Sequence, residues 1–263
     1  MTPIRSAGNP QFKALSKLVQ SSRERKRAGL SLLDGAHLVA AYRDHVGVPK
    51  RVVVSGTGLG NPEINGLLDR MSGLEPIVLG DRLFEKLSSV VTPTGVIAVI
   101  ETPRVELRPQ TLEACVMVED LQDPGNLGSL LRSAAAAGMA DVLLSKNSVH
   151  AWSPRVLRAA MGAHFLLRIH EDVDLAAAVR EFMGSVIATS RQARQSLYDA
   201  DLRGNIALVF GNEGAGVSPG LITGAHAVVA IPMPGRAESL NVAAAAAICL
   251  FERVRQQSAA ILR

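Results

Sequence analysis

From Ala114 to the C-terminus, short apolar runs alternate with helix-like segments. ACVMVED, DVLLS, SVIAT, IALVF and AVVAI recur with helically spaced stretches between them. Runs this uniformly apolar suit strands buried on both faces, and helices in the connections imply a mainly parallel sheet. Strands are expected at 115–119, 141–145, 166–169, 185–189, 206–210 and 227–231, and helices at 126–138, 153–161, 173–183 and 239–257. In such α/β sheets, ligands bind beyond the carboxyl ends of the strands. Three loops at those ends stand out: LQDPGNLGSLLRSAAAAG (Leu121 to Gly138), LVFGNEGAG (Leu208 to Gly216) and IPMPGRAESLNVAAAAA (Ile231 to Ala247).

The first hundred residues have their own rhythm. Asn9 followed by Pro10 reads as a helix cap with proline at the first helical position, and Phe12, Leu15, Leu18 and Val19 mark one helical face whose basic tail runs to Gly29. Strand-like LSLLDG, RVVVS, PIVLG and GVIAVIE then alternate with helices over AHLVAAYRDH, 61–72 and DRLFEKL, which gives a small α/β domain. TPRVELRPQTLE is charged, poor in apolar residues and carries two prolines, as a linker does. The expected organisation is therefore a domain at 1–101, a linker at 102–112 and a second domain at 113–263.

The net charge of +4 hides an asymmetry. Residues 1–27 carry seven bases against Glu24 alone, a net of +6, while the remaining 21 bases and 23 acids give −2. A basic element of this kind suits a phosphate-tracking surface, although a solvated helix face accounts for it equally well. Aromatic residues are 3% of the chain, which disfavours gripping single strands by stacking. Cys115 and Cys249 are far apart without metal-ligand spacing and read as reduced, buried side chains. No apolar run approaches the ~18 residues that span a bilayer, and the first residues lack the features of a secretion signal. A cytoplasmic protein with no membrane partner is expected.

Familiar sites are poor matches to the glycine loops. GNEGAGVS has no lysine after its glycines, so it is not a P-loop, and PGNLG lacks dinucleotide-fingerprint spacing. There is no G-x-S-x-G nucleophile elbow, and the six histidines show no metal pairing. Neither metal nor covalent catalysis is expected.

Taken in order, DPGNLGSLLRSAAAAG, LVFGNEGAG and IPMPGRAESLNVAAAAA resemble the three motifs of the SpoU (TrmH-like) RNA ribose 2′-O-methyltransferases of the SPOUT superfamily. NPQFKALSKLVQSSRERKRAGLSLLDGAHLVAAY is similar to the L30e-like substrate-binding domain of rRNA-modifying members. The resemblance implies a SPOUT α/β domain whose C-terminal part is tied in a trefoil knot, preceded by an L30e-like α/β domain, with members acting as homodimers. It implies S-adenosylmethionine as cofactor, held by Gly211, Ile231 and Leu240, with Asn212, Met233 and Gly235 in the same loops. RNA is the implied partner, rRNA before tRNA, with a tRNA 2′-O-methyltransferase or a non-catalytic RNA-binding protein as alternatives.

The resemblance assigns Arg132 to activation of the target hydroxyl, with Asn126, Glu213, Ser239 and Asn241 around it. A guanidinium stays protonated and is a poor base, so its expected role is electrostatic, with Asn126 and Glu213 fixing its geometry. Ordinary roles compete. Arg132 alone would be a surface arginine, Glu213 a turn residue, and Asn126 and Ser239 helix caps, with Asn241 a first-turn polar group. Ala243, Ala160 and Asp34 stand where many members have serine, serine and glutamate, which bears on substrate contacts and leaves the cofactor loops intact.

Overall fold

The computed structural model describes residues 2–71, 73–90 and 92–261. The chain forms two compact units, Met1–Pro103 with Trp152–Phe165, and Arg104–Ala151 with Leu166–Arg263.

In the first unit, α1 (Pro10–Gln20) begins where the Asn9 side chain accepts from the amides of Gln11 and Phe12, and it buries Phe12 and Leu15. The continuous basic helix expected up to Gly29 is in fact two helices. Ser21 is extended, and its hydroxyl accepts from Glu24 N at 3.2 Å, which starts α2 (Ser22–Ala28). Gly29 ends α2 in the left-handed region at φ 62°. Arg25 is buried, its Nη1 donating to the carbonyls of Leu18 (2.8 Å) and Val19 (3.0 Å) at the end of α1. One of the seven N-terminal bases is thus committed to structure, while Arg5, Lys13, Lys17, Arg23, Lys26 and Arg27 are exposed.

The sheet of this unit contains β1 (Leu30–Asp34), β2 (Arg51–Ser55), β3 (Ile77–Leu79) and β4 (Val96–Glu101) in the order β1-β4-β2-β3. β4 runs antiparallel to β1 and β2, whereas β2 and β3 are parallel. Helices α3 (Ala36–His45), α4 (Pro62–Asp69) and α5 (Asp81–Glu85) fill the connections. Asp34 Oδ2 accepts from the Ser88 hydroxyl (2.9 Å) and from the amide of Ser89 (2.6 Å), tying the end of β1 to the segment after α5. Helix α6 (Pro154–Ala160) also belongs to this unit and packs against β1, with Ala160 fully buried.

The second unit holds β5 (Ala114–Val118), β6 (Asp141–Ser145), β7 (Arg168–Val173), β8 (Ser185–Thr189), β9 (Gln195–Ser196), β10 (Ile206–Phe210) and β11 (Ala227–Ala230). Their order is β7-β6-β5-β10-β8-β11-β9, and every neighbouring pair is parallel. Cys115 to Val118 and Ile206 to Phe210 are buried throughout, as strands covered on both faces must be. The helices are α7 (Pro124–Ala136), α8 (Leu175–Glu181), α9 (Pro219–Gly224) and α10 (Val242–Ile261).

β9 and α9 escape a sequence reading for physical reasons. Two polar residues carry no alternation, and six residues reading PGLITG carry no helical period. α7 packs on α10 with Ala134 and Ala246 fully buried, so intrachain packing accounts for those two alanines, whereas Ala136 and Ala244 are exposed. Ala243 is buried as well, so a serine there would bring a hydroxyl into the packed interior of the second unit. Both cysteines are free and buried, and burial pushes each thiol up to about 12, leaving no reactive thiolate at neutral pH.

Candidate functional site

A parallel sheet sends the loops after β5, β8, β10 and β11 out at one edge, and the loops after β8, β10 and β11 share a cavity of about 620 Å³. Its wall carries Gly211, Asn212, Ile231, Met233 and Leu240 of the expected cofactor residues, and Glu213, Ser239 and Asn241 of the expected catalytic ones. Gly235 is exposed and lies outside it, as do Asn126 and Arg132.

Gly211 is required by its surroundings. A Cβ built there would lie 2.0 Å from the Gly216 carbonyl carbon and 2.2 Å from Val217 N. The two ends of the turn press together because Asn212 N donates to Gly216 O (3.1 Å) and Gly216 N donates back to Asn212 O (2.9 Å). Gly216 adopts φ 72°, a conformation glycine takes without a Cβ penalty. The Asn212 side chain closes the turn from inside, its Oδ1 accepting from Gly214 N and Ala215 N, while its Nδ2 donates to Asp120 O at 2.8 Å.

The three motif loops are stitched together by amides and one carboxylate. Asp123 caps α7, its Oδ1 accepting from Asn126 N at 2.7 Å, so Asn126 is not the cap. Its side chain is available to bridge the loops instead. Asn126 Nδ2 donates to Glu213 Oε1 (3.1 Å), and Asn126 Oδ1 accepts from Asn241 Nδ2 (2.8 Å). Glu213 Oε1 also accepts from Asp123 N at 3.2 Å, which sets the carboxylate at the amino end of α7, where the helix dipole favours negative charge. Burial pushes the Glu213 carboxyl up, but the Asn126 side chain and the amides of Asp123 and Gln122 outweigh it and hold the group below its ordinary value.

Asn241, not Ser239, caps the final helix. Its Oδ1 accepts from Ala243 N (2.9 Å) and Ala244 N (3.4 Å), so α10 starts at Val242, three residues later than expected. Arg132 is exposed on α7 and makes no hydrogen bond or ion pair with Asn126 or Glu213. Within one chain, therefore, these two do not hold Arg132. Six residues along a helix place Arg132 about 9 Å further up the axis and on a different face from Asn126, and Asn126 and Glu213 bind each other instead.

Two contributors have no glycine signal. Thr189, the last residue of β8, and Ser190, Arg191 and Gln192 after it form one wall of the cavity, and only the rule that strand carboxyl ends bind ligands points to them. Asp120, at φ 51°, is a non-glycine residue in the left-handed region at the end of β5. Its Oδ1 accepts from Ser145 Oγ (2.6 Å), and its carbonyl receives Asn212, so it braces the turn at Gly211. Among the described residues, no group of three or more His, Cys, Asp or Glu side chains is placed to hold a metal ion. His150 bonds Glu171 at 2.8 Å and His170 bonds Asp141 at 3.0 Å, away from the cavity.

The SpoU rRNA methylase family model matches residues 113–251, and an MRM3-like substrate-binding domain matches residues 9–98. The chain belongs to the SpoU rRNA methylase family. It is similar to the 23S rRNA (guanosine(2553)-2′-O)-methyltransferase RlmP of Bacillus subtilis, 32% identical over 95% of this chain and 98% of that protein. An uncharacterized tRNA/rRNA methyltransferase of Synechocystis is 35% identical over 98% of this chain and 95% of its own length. Among solved SpoU-like structures, the AdoMet-bound rRNA methyltransferase from Sinorhizobium meliloti superposes with a TM-score of 0.83 at 27% identity, covering 97% of each chain.

Proposed function

We propose that this protein is an S-adenosylmethionine-dependent methyltransferase acting on a ribose 2′-hydroxyl of ribosomal RNA. The observation that carries the proposal is the convergence of three motif loops. Those after β10 and β11 line one cavity, and the Glu213–Asn126–Asn241 chain of hydrogen bonds joins them to the first turn of α7. The cavity suits the cofactor. Its volume lies in the ~300–1,000 Å³ range of small-molecule sites, Phe210, Ile231, Met233 and Leu240 offer apolar walls for an adenosyl group, and the turns at Gly211 and Ile231 supply polar groups.

When bound, S-adenosylmethionine supplies a methyl group on a positively charged sulfur. The protein's part is to hold two reactants in line, which can account for much of the rate advantage. Gly211, Asn212, Ile231, Met233 and Leu240 form the binding wall. Asn126, Glu213 and Asn241 keep the amino end of α7 registered against it. The 2′-oxygen must shed its proton as it takes the methyl group, and Arg132 stabilises the developing negative charge while engaging a neighbouring phosphate through its fork of donors.

Arg132 sits outside this network in its own chain, which supports a homodimer in which a second copy completes the site. Phe251 (49% exposed) offers apolar surface for that association. We infer the knotted topology from membership of the family alone. The six exposed bases of the N-terminal segment give the first unit its RNA-facing charge. Mass-spectrometric mapping of 2′-O-methyl positions in rRNA from a deletion strain tests the proposal: one or more positions should lose the modification, and an unchanged map in both rRNA and tRNA would overturn it.

A further inference from the structure

Among the described residues, two charged side chains line the cavity, Glu213 and Arg191. Glu213 is met by the amides of Asn126 and Asp123. Arg191, two residues beyond β8, has a single long hydrogen bond, its Nη1 donating to Glu238 O at 3.4 Å, and it pairs with no carboxylate among the described residues. A guanidinium is permanently charged and presents five donors in a planar fork that fits a carboxylate. An unpaired cation on the wall of a small-molecule cavity is matched by a ligand that brings an anion. S-adenosylmethionine has one anionic group, the α-carboxylate of its methionyl part. Its sulfonium and ammonium groups are cations, repelled by Arg191 and attracted by Glu213.

We infer that Arg191 is a specificity-determining residue that binds the α-carboxylate of the methyl donor. This rests on the reading of the cavity as the cofactor site. Arg191 then fixes which end of the donor lies at the β8 wall: the ammonium stays beside the carboxylate on the same carbon, and the sulfonium, two methylenes away, is left to the wall that carries Glu213 and Asn241. A fork held by one weak bond to a backbone carbonyl is free to turn onto a ligand without breaking an ion pair.

Calorimetric binding of S-adenosylmethionine and of its decarboxylated form to the full-length wild type, Arg191→Gln and Arg191→Lys tests the assignment without catalysis. The wild type should prefer the carboxylated ligand by about tenfold, the low end for a charge-assisted hydrogen bond because the arginine is open to water. Arg191→Gln should lose that preference by weakening S-adenosylmethionine alone, and Arg191→Lys should retain part of it. Equal weakening of both ligands would overturn the assignment and leave Arg191 as a brace for the Glu238 loop. So would unchanged binding of both, and a higher KM for RNA would then mark a phosphate contact. If the wild type binds neither ligand, the cofactor reading itself is wrong, and the assignment falls with it.

Discussion

Gly211→Ala puts one methyl group where the structure has no room. The added Cβ would lie 2.0 Å from the Gly216 carbonyl carbon and 2.1 Å from its oxygen, against 3.4 Å for ordinary contact. The turn must therefore open by about 1.4 Å, the difference between 3.4 and 2.0 Å. The obstacle is backbone, which cannot rotate aside as a side chain can. Opening the turn breaks or stretches the reciprocal Asn212–Gly216 bonds, each worth about 1 kcal/mol net, and adds overpacking strain of about 1–3 kcal/mol. With both bonds lost, a destabilisation of roughly 3–5 kcal/mol is expected in the second unit. Affinity for S-adenosylhomocysteine should fall at least about tenfold, because the same turn forms the cavity wall. Gly214→Ala is the control: its Cβ would meet only Asn212 Oδ1, at 3.5 Å, and its φ is not positive. Thermal unfolding and calorimetry on both variants decide the matter, and a Gly211→Ala protein that melts and binds like Gly214→Ala would refute the steric reasoning.

Other outcomes follow from the same geometry. Arg132→Ala should reduce turnover by roughly 10²- to 10³-fold in single-turnover methylation with little change in cofactor affinity; near-normal turnover, with stability altered by no more than about 0.5 kcal/mol, would make it a surface arginine. Asn241→Asp keeps the acceptor that caps α10 but cannot donate to Asn126, so it should melt near the wild type yet lose activity, whereas Asn241→Ala should also lose about 1 kcal/mol of stability. Glu213 has a depressed folded-state pKa, so its stabilisation is present above the ordinary glutamate value and lost as pH falls through the folded one. The stability gap between wild type and Glu213→Gln should therefore close in acid, and a gap that widens there would contradict the sign. Changing Lys13, Lys17, Arg23 and Lys26 to glutamine should weaken RNA binding and flatten its salt dependence by up to about 0.7 per lost contact with a single strand. An unchanged slope would leave them a solvated face.

The last test uses substitutions because truncating residues 1–27 would also remove Phe12 and Leu15 from the core of the first unit. The sequence shows a run of bases; it does not show that Arg25 turns inward to cap the carbonyls of α1. Such tertiary reassignment marks the limit of what was legible. Strands such as Ile206–Phe210 were readable because burial on both faces forces an uninterrupted apolar run. Asn126 and Asn241 were readable as polar residues near helix starts, but which one caps depends on where the chain turns, and Asp123 and Asn241 hold those positions. Arg191 and Asp120 carry no local pattern, since their importance comes from what parallel strands bring to one edge.

The most direct test of the central claim is methyl transfer from labelled S-adenosylmethionine to rRNA and tRNA by the purified protein, followed by nuclease digestion and identification of the labelled nucleoside. Label on a ribose 2′-oxygen of rRNA, nearly abolished by Arg132→Ala, is the expected result. Label on a base, or none on either RNA from a protein that binds the cofactor, would contradict it.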